Sequence, residues 1–141
     1  SKSIFKNKML SKIRPKKRSF FGLRDNSGVR FLTMLRMDLS PLRAHKFKYK
    51  FPGITHDKCD VCECVENTDH YLLKCLSNRL ARATMLENIS RIINVQMSTL
   101  PQIRVRTILL YGKDDVDDDK KLKIMKEVVK YIVKSKRLDT I

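Results

Sequence analysis

The run "CDVCECVENTDHYLLKC", from Cys59 to Cys75, contains every cysteine of the 141-residue chain, with a histidine among them. A set this dense constrains the fold before any helix is considered, because a shared purpose must bring the four thiols together. Cys59, Cys62, His70 and Cys75 follow the spacing C-x2-C-x7-H-x4-C. That spacing gathers three thiolates and one imidazole around a tetrahedral ion, the first pair from a turn and the second from the first turns of a following helix. Zinc accepts such a set at about 2.3 Å to sulfur and about 2.0 Å to nitrogen. Four protein ligands leave no open coordination position, so the expected site is structural and not catalytic. Cys64 is the fifth candidate: it either replaces Cys62 or is a small buried residue.

Two other uses of the thiols compete with zinc. Disulfides are disfavoured because Cys59, Cys62 and Cys64 crowd too closely, and no secretion signal places the chain in an oxidising compartment. Redox chemistry at C-x-x-C normally sits in a βαβ context, and the surrounding pattern is helical.

The helical pattern runs through most of the chain and predicts an all-α fold. In "SIFKNKMLSKIR" the apolar residues Ile4, Phe5, Met9, Leu10 and Ile13 fall near one face with lysines opposite, so residues 1–24 are expected to form a basic amphipathic helix and linker. Residues 25–141 are expected to form one helical domain around the metal. Val29, Leu32, Leu35 and Leu39 recur at helical intervals, and Ser40 with Pro41 reads as the cap and first position of a helix over "PLRAHKFKYKF". "HYLLKCLSNRLARATMLENISRIINV" reads as one long helix or two broken near Cys75, with Leu72, Leu76, Leu80, Met85, Leu86, Ile89 and Ile93 inward. "LPQIRVRTILLYG" is a shorter helix closed by Gly112. The last helix follows "DDVDDD", with Leu122, Met125, Val129 and Ile132 on its core side and aspartates suiting its N-terminal dipole. No apolar run approaches a membrane span and no signal-peptide pattern opens the chain, so an intracellular protein is expected.

Charge supplies the functional expectation. The chain carries 31 Lys and Arg against 15 Asp and Glu, a net +16. Residues 1–50 hold 15 of the cations and only Asp25 and Asp38 as anions, a balance of +13 that leaves +3 for the rest. Such asymmetry points to a polyanionic partner, nucleic acid or an anionic membrane surface.

"RFLTMLRMDLSPLRAHKFKYKFPGITHDKCDVCECVENTDHYLLKC", with "RSFFGLRDNSGVR" before it and "TILLYGKDDVDDDKKLKIMKEVVKYIVKSKR" after it, resembles the C-terminal segment of non-LTR (LINE-like) retrotransposon proteins, downstream of the reverse transcriptase domain. The resemblance spans most of the chain. It implies a zinc knuckle ligated by Cys59, Cys62, His70 and Cys75 that helps hold RNA or target DNA, a nuclear location, and a missing reverse transcriptase core as a further partner. The chain itself carries neither that core nor a recognisable endonuclease, so no catalysis is expected. "YGKDDV" resembles a polymerase Y-x-D-D motif but has one residue too many between Tyr111 and Asp114, and reads as a solvated loop and helix cap.

Residues 57–69 carry Asp57, Asp60, Glu63, Glu66 and Asp69 against Lys58 alone, so the metal loop reads as electronegative and a poor phosphate grip. The metal is then expected to staple two helices whose cations make the contacts. The candidates are Arg43, His45, Lys46, Lys48 and Lys50, with Arg79 and Arg82, and the N-terminal Lys12, Arg14, Lys16, Lys17 and Arg18. Phe47 and Tyr49 are placed either on unpaired bases or in the core. His45 and His56 have no partner that the sequence identifies. The rival expectation is a zinc-stabilised protein-interaction module docking on a polymerase or other partner, and a weaker one is membrane-surface attachment through residues 2–18.

Overall fold

The computed structural model describes residues 27–137. Helix α1 spans Ser27–Arg36, α2 Arg43–Lys48, α3 Arg79–Ile93, α4 Gln102–Tyr111 and α5 Asp118–Lys134. A π-helical turn at His70–Lys74 and short 3-10 turns at Leu76–Asn78 and Met97–Thr99 connect them. Among the described residues no strand forms, and the fold is helical as the periodicity predicts. No described helix is long and apolar enough to cross a membrane. The amphipathic helix expected in residues 1–24 lies outside the described residues.

Helix α5 is the spine. Ile124, Met125, Val128, Val129, Tyr131 and Ile132 are buried on it at spacings of three and four residues, and it packs against both α1 and α3. Its start is fixed by Asp117, whose carboxylate accepts the Lys120 N–H at 2.8 Å, with Asp118 and Asp119 in the first turn facing the helix dipole. Helix α1 crosses it closely because position 28 has no side chain: a Cβ on Gly28 would stand 2.6 Å from Cγ1 of Val129. Helix α4 ends at Gly112, which takes φ +82°. At the centre Tyr71 packs against Phe31 in a tilted pair at 5.6 Å and against Tyr131 edge-on at 5.4 Å between ring centroids. The Tyr131 hydroxyl donates to the Tyr71 carbonyl. Burial pushes Tyr131 up to about 12 although the Arg82 cation nearby opposes it, so this hydroxyl stays a donor throughout the physiological range.

Two expectations are corrected. Leu39, Leu76 and Leu80 are exposed at 48%, 56% and 77%, because α1 ends at Arg36 and the chain breaks at Cys75, which rotates these positions off the apolar stripe. The long segment after His70 is two pieces broken at Cys75, the second of the two forms expected. Helix α2 begins at Arg43, two residues later than the Ser-Pro signal suggests. Ser40 instead accepts the Leu42 N–H at 3.2 Å and meets His45 Nδ1 at 2.7 Å, while the carboxylate of Glu66 takes the cap position, accepting the Arg43 N–H at 2.9 Å.

The hydrophobic core draws on α1, Leu42, the π turn, α3, Met97, α4 and α5. Between residues 43 and 70 every buried side chain is polar or a cysteine: His45, Cys59, Glu66, Thr68 and His70. This segment is held by bonds of specific geometry and not by apolar burial, and it is where the candidate site lies.

Candidate metal centre

Cys59 and Cys62 sit on a tight reversal. Lys58 and Val65 form an isolated antiparallel bridge, the Cys59 N–H donates to the Cys64 carbonyl at 2.7 Å, and the Glu63 N–H returns to the Cys59 carbonyl at 2.9 Å. Glu63 takes φ +59° to close the loop. The second half begins at Asn67, whose side-chain oxygen accepts the His70 N–H at 2.8 Å and starts a helical turn.

That turn is π-helical for a geometric reason. Five residues on an α-helix advance ~500°, which would put His70 and Cys75 ~140° apart around the axis. The wider turn, closed by the Cys75 N–H on the His70 carbonyl at 2.8 Å, brings residue i+5 back over residue i. The turn packs against α3 and α4, and Arg106 of α4 pairs with Asp69 at its start. Cys75 then leaves the helix with ψ 124°. Both donors therefore come from one turn rather than from the first turns of a long helix.

The result is one compact donor set. Cys59, Cys62, His70 and Cys75 can hold a metal ion, with their ligand atoms all within 4.8 Å of one another. Cys59 and Cys75 are buried with their sulfurs 3.9 Å apart, and the Leu76 N–H points at the Cys62 sulfur from 3.4 Å. His70 is 4% exposed, and its Nε2 is buried without a hydrogen-bond partner among the described residues. Its other nitrogen, Nδ1, lies 3.2 Å from the Cys64 sulfur. An imidazole held by Nδ1 with a bare, buried Nε2 is the arrangement that metal-ligating histidines adopt. Burial lowers the His70 pKa, with Glu66 opposing and Arg82 and Lys74 assisting, so the ring keeps a free lone pair at neutral pH.

Burial also pushes the Cys75 thiol up; hydrogen bonds from Ser77 pull it back in part, and Cys59 beside it adds to the push. A divalent cation reverses this balance, because it stabilises the thiolate directly. Three thiolates and one divalent ion leave a net charge of −1. Arg82 stands behind the set: its Nη2 donates to the Cys75 carbonyl at 2.6 Å, and its Nη1 is buried without a hydrogen-bond partner among the described residues. Cys64, the ambiguous thiol of the sequence, is exposed and stands outside the four as the neighbour of His70.

Three of the five acids of the loop are paired with cations that the sequence did not assign to them. Asp60 pairs with Arg43 at 2.8 Å, Asp69 with Arg106, and Glu66 receives both terminal nitrogens of Arg137 at 2.7 and 3.0 Å. The sequence could not show this, since Arg106 and Arg137 lie 37 and 71 positions away from their partners. Asn67 did carry a signal, as a capping residue three positions before His70.

The candidate contact residues divide. His45 is 6% exposed, its Nδ1 accepting the Ser40 N–H at 3.1 Å and its Nε2 3.6 Å from Asp38, and Arg82 is buried against Cys75; neither reaches a surface ligand. Arg43 is committed to Asp60 and touches His56. Lys46, Lys48 and Lys50 share α2 and the turn after it, with Lys48 and Lys50 exposed and Lys46 partly so. Arg79 is exposed beyond the 3-10 turn. Lys12, Arg14, Lys16, Lys17 and Arg18 lie outside the described residues. Compared with known proteins, the chain matches no family model, no curated protein and no solved structure.

Proposed function

We propose that this chain is a non-catalytic nucleic-acid-binding domain in which one structural zinc, ligated by Cys59, Cys62, His70 and Cys75, fixes a basic segment for contact with RNA or DNA. The zinc assignment is supported by the Cys3His donors and by the 3.9 Å between two of the sulfurs, close to the ~3.8 Å expected of tetrahedral ligands at about 2.3 Å. The observation that carries the binding reading is the position of Lys46, Lys48 and Lys50. They stand without a carboxylate partner among the described residues, on the short helix that the metal segment anchors through Glu66 and Asp60 and on the turn after it. The charge of +13 over residues 1–50 supplies the long-range attraction. A place beside a retrotransposon reverse transcriptase, in the nucleus, rests on the sequence resemblance alone.

Binding of labelled RNA and DNA by the metal-loaded chain across a salt series tests the reading. Affinity should fall steeply with salt, and K46A/K48A/K50A should flatten the slope by about 0.7 to 0.9 for each phosphate no longer neutralised. Absence of binding at low salt refutes it. One observation favours the protein-docking alternative: Leu76 and Leu80, just after Cys75, are exposed. Salt-insensitive binding to a protein, abolished in L76S/L80S, would establish that role instead.

A further inference from the structure

Around the end of α2 the sequence alternates without a break: Lys46, Phe47, Lys48, Tyr49, Lys50, Phe51. The three aromatic side chains are 44%, 49% and 51% exposed, in contrast to Phe31, Tyr71 and Tyr131, which lie in the core. Among the described residues no other ring stacks on them and no carboxylate pairs with the three lysines. The Lys48 ammonium lies 5.5 Å over the Tyr49 ring, where it takes part in a cation–π contact.

The backbone that presents them is a defined turn. The Phe51 N–H donates to the Lys46 carbonyl at 3.0 Å and the Lys50 N–H to the Phe47 carbonyl at 3.1 Å, the two bonds of a Schellman closure. Lys50 occupies the left-handed position at φ +56°, where glycine is the usual residue. A side chain kept at that position, at a conformational cost, is accounted for if it meets a ligand.

We propose that this turn is a stacking platform for the unpaired bases of single-stranded nucleic acid, Phe47, Tyr49 and Phe51 offering ring faces while Lys46, Lys48 and Lys50 track the phosphates. This deepens the nucleic-acid reading and rests on it. Charge complementarity selects the occupant. Protein interfaces concentrate aromatic residues but exclude lysine from their centres, whereas here every second residue is lysine. Single-strand binding surfaces combine a cationic track with exposed rings, because every base has a face that stacks. A duplex hides those faces. The metal centre matters to the platform only through α2, whose first N–H groups bond to Glu66.

The test uses the full metal-loaded chain, an oligothymidylate, a duplex and anionic phosphatidylserine vesicles. The unaltered chain should bind the single strand more tightly than the duplex. F47A/Y49A/F51A should weaken single-strand binding about tenfold or more, with little change on the duplex and an unchanged salt slope, because the lysines remain. Lys50→Gly should melt no lower than the parent yet bind the single strand more weakly, an outcome that a purely structural lysine would not give. Equal losses on both nucleic acids, or none, overturn the platform while leaving nucleic-acid binding standing. Duplex binding without single-strand binding does the same. Loss of vesicle binding with oligonucleotide binding intact assigns the rings to a lipid surface and overturns the proposal. Failure to bind any nucleic acid defeats both this inference and the broader reading.

Discussion

Replacing Glu66 by glutamine changes one charge and almost no volume, and it tests how the metal segment is joined to the helical core. Glu66 is 5% exposed and does three things: it accepts the Arg43 N–H at the start of α2 and both terminal nitrogens of Arg137 beyond α5. Removing one partner of a buried ion pair typically costs about 3–5 kcal/mol. Arg137 retains 24% exposure and can recover some hydration, and glutamine can still accept one N–H, so about 2–3 kcal/mol is expected here. With a urea m-value of about 2 kcal/mol/M, that lowers the unfolding midpoint by about 1–1.5 M. The assay is urea unfolding at saturating metal, followed by far-UV circular dichroism. Arg137→Met should be at least as damaging, because the carboxylate it abandons is the more buried partner. E66Q/R137M should recover a large part of the loss, giving a coupling energy of about 1 kcal/mol or more. A shift in E66Q below about 0.5 kcal/mol, or strict additivity in the double variant, would refute the view that this pair is a principal tie between the two parts.

Metal removal should act locally. Chelation is expected to abolish amide-exchange protection between residues 44 and 70 while α3 and α5 keep theirs, since the apolar core takes no side chain from residues 43–70; complete loss of helicity would contradict this. Cys64→Ser should retain one metal per chain by elemental analysis with a modest drop in affinity, about tenfold, through the disturbed His70 contact, whereas Cys62→Ser should lose the metal; the reverse pattern would move Cys64 into the coordination sphere. His45 predicts a pH dependence. Its pKa is lowered from 6.5 chiefly by burial, with Asp38 and Glu66 opposing and Lys48 assisting, and its Nδ1 already accepts the Ser40 N–H. The unfolded chain therefore binds the proton more readily, so this contribution is complete above about pH 6.5 and is lost as pH falls toward the lower folded value. Relative to the parent, His45→Asn should be less sensitive to acidification across that interval in urea unfolding, and identical pH profiles would exclude the assignment.

Much of this arrangement was legible in the sequence because it depends on local spacing. The candidate donor set followed from C-x2-C-x7-H-x4-C, the Gly112 stop and the Asp117 start from ordinary end signals, and Met125, Val129 and Ile132 from a three-four repeat. What escaped depends on partners distant in the chain or on a departure from regular helix. Glu66 displaced Ser40 as the cap because Arg137, far along the sequence, holds its carboxylate in place. Leu76 and Leu80 carried the right period for burial, but the π turn and the break at Cys75 turned them outward, while Met85, Ile89 and Ile93 further along stayed inward. Charge counting alone made the metal loop acidic; only the folded pairs with Arg43, Arg106 and Arg137 show that those acids serve as internal ties.

The purely polar and cysteine interior of residues 43–70 has a consequence for how such a protein can change over generations. A surface element that shares apolar contacts with its core cannot be rewritten without repacking that core. Here the exposed positions of α2 and its turn, and the length of the loop between Phe51 and Lys58, can drift freely as long as the four clustered donors and a few ion pairs are kept. The exposed residues of the segment can therefore change with little effect on the helices beneath. The same clamp, carried on a different helical bundle, would present the same segment.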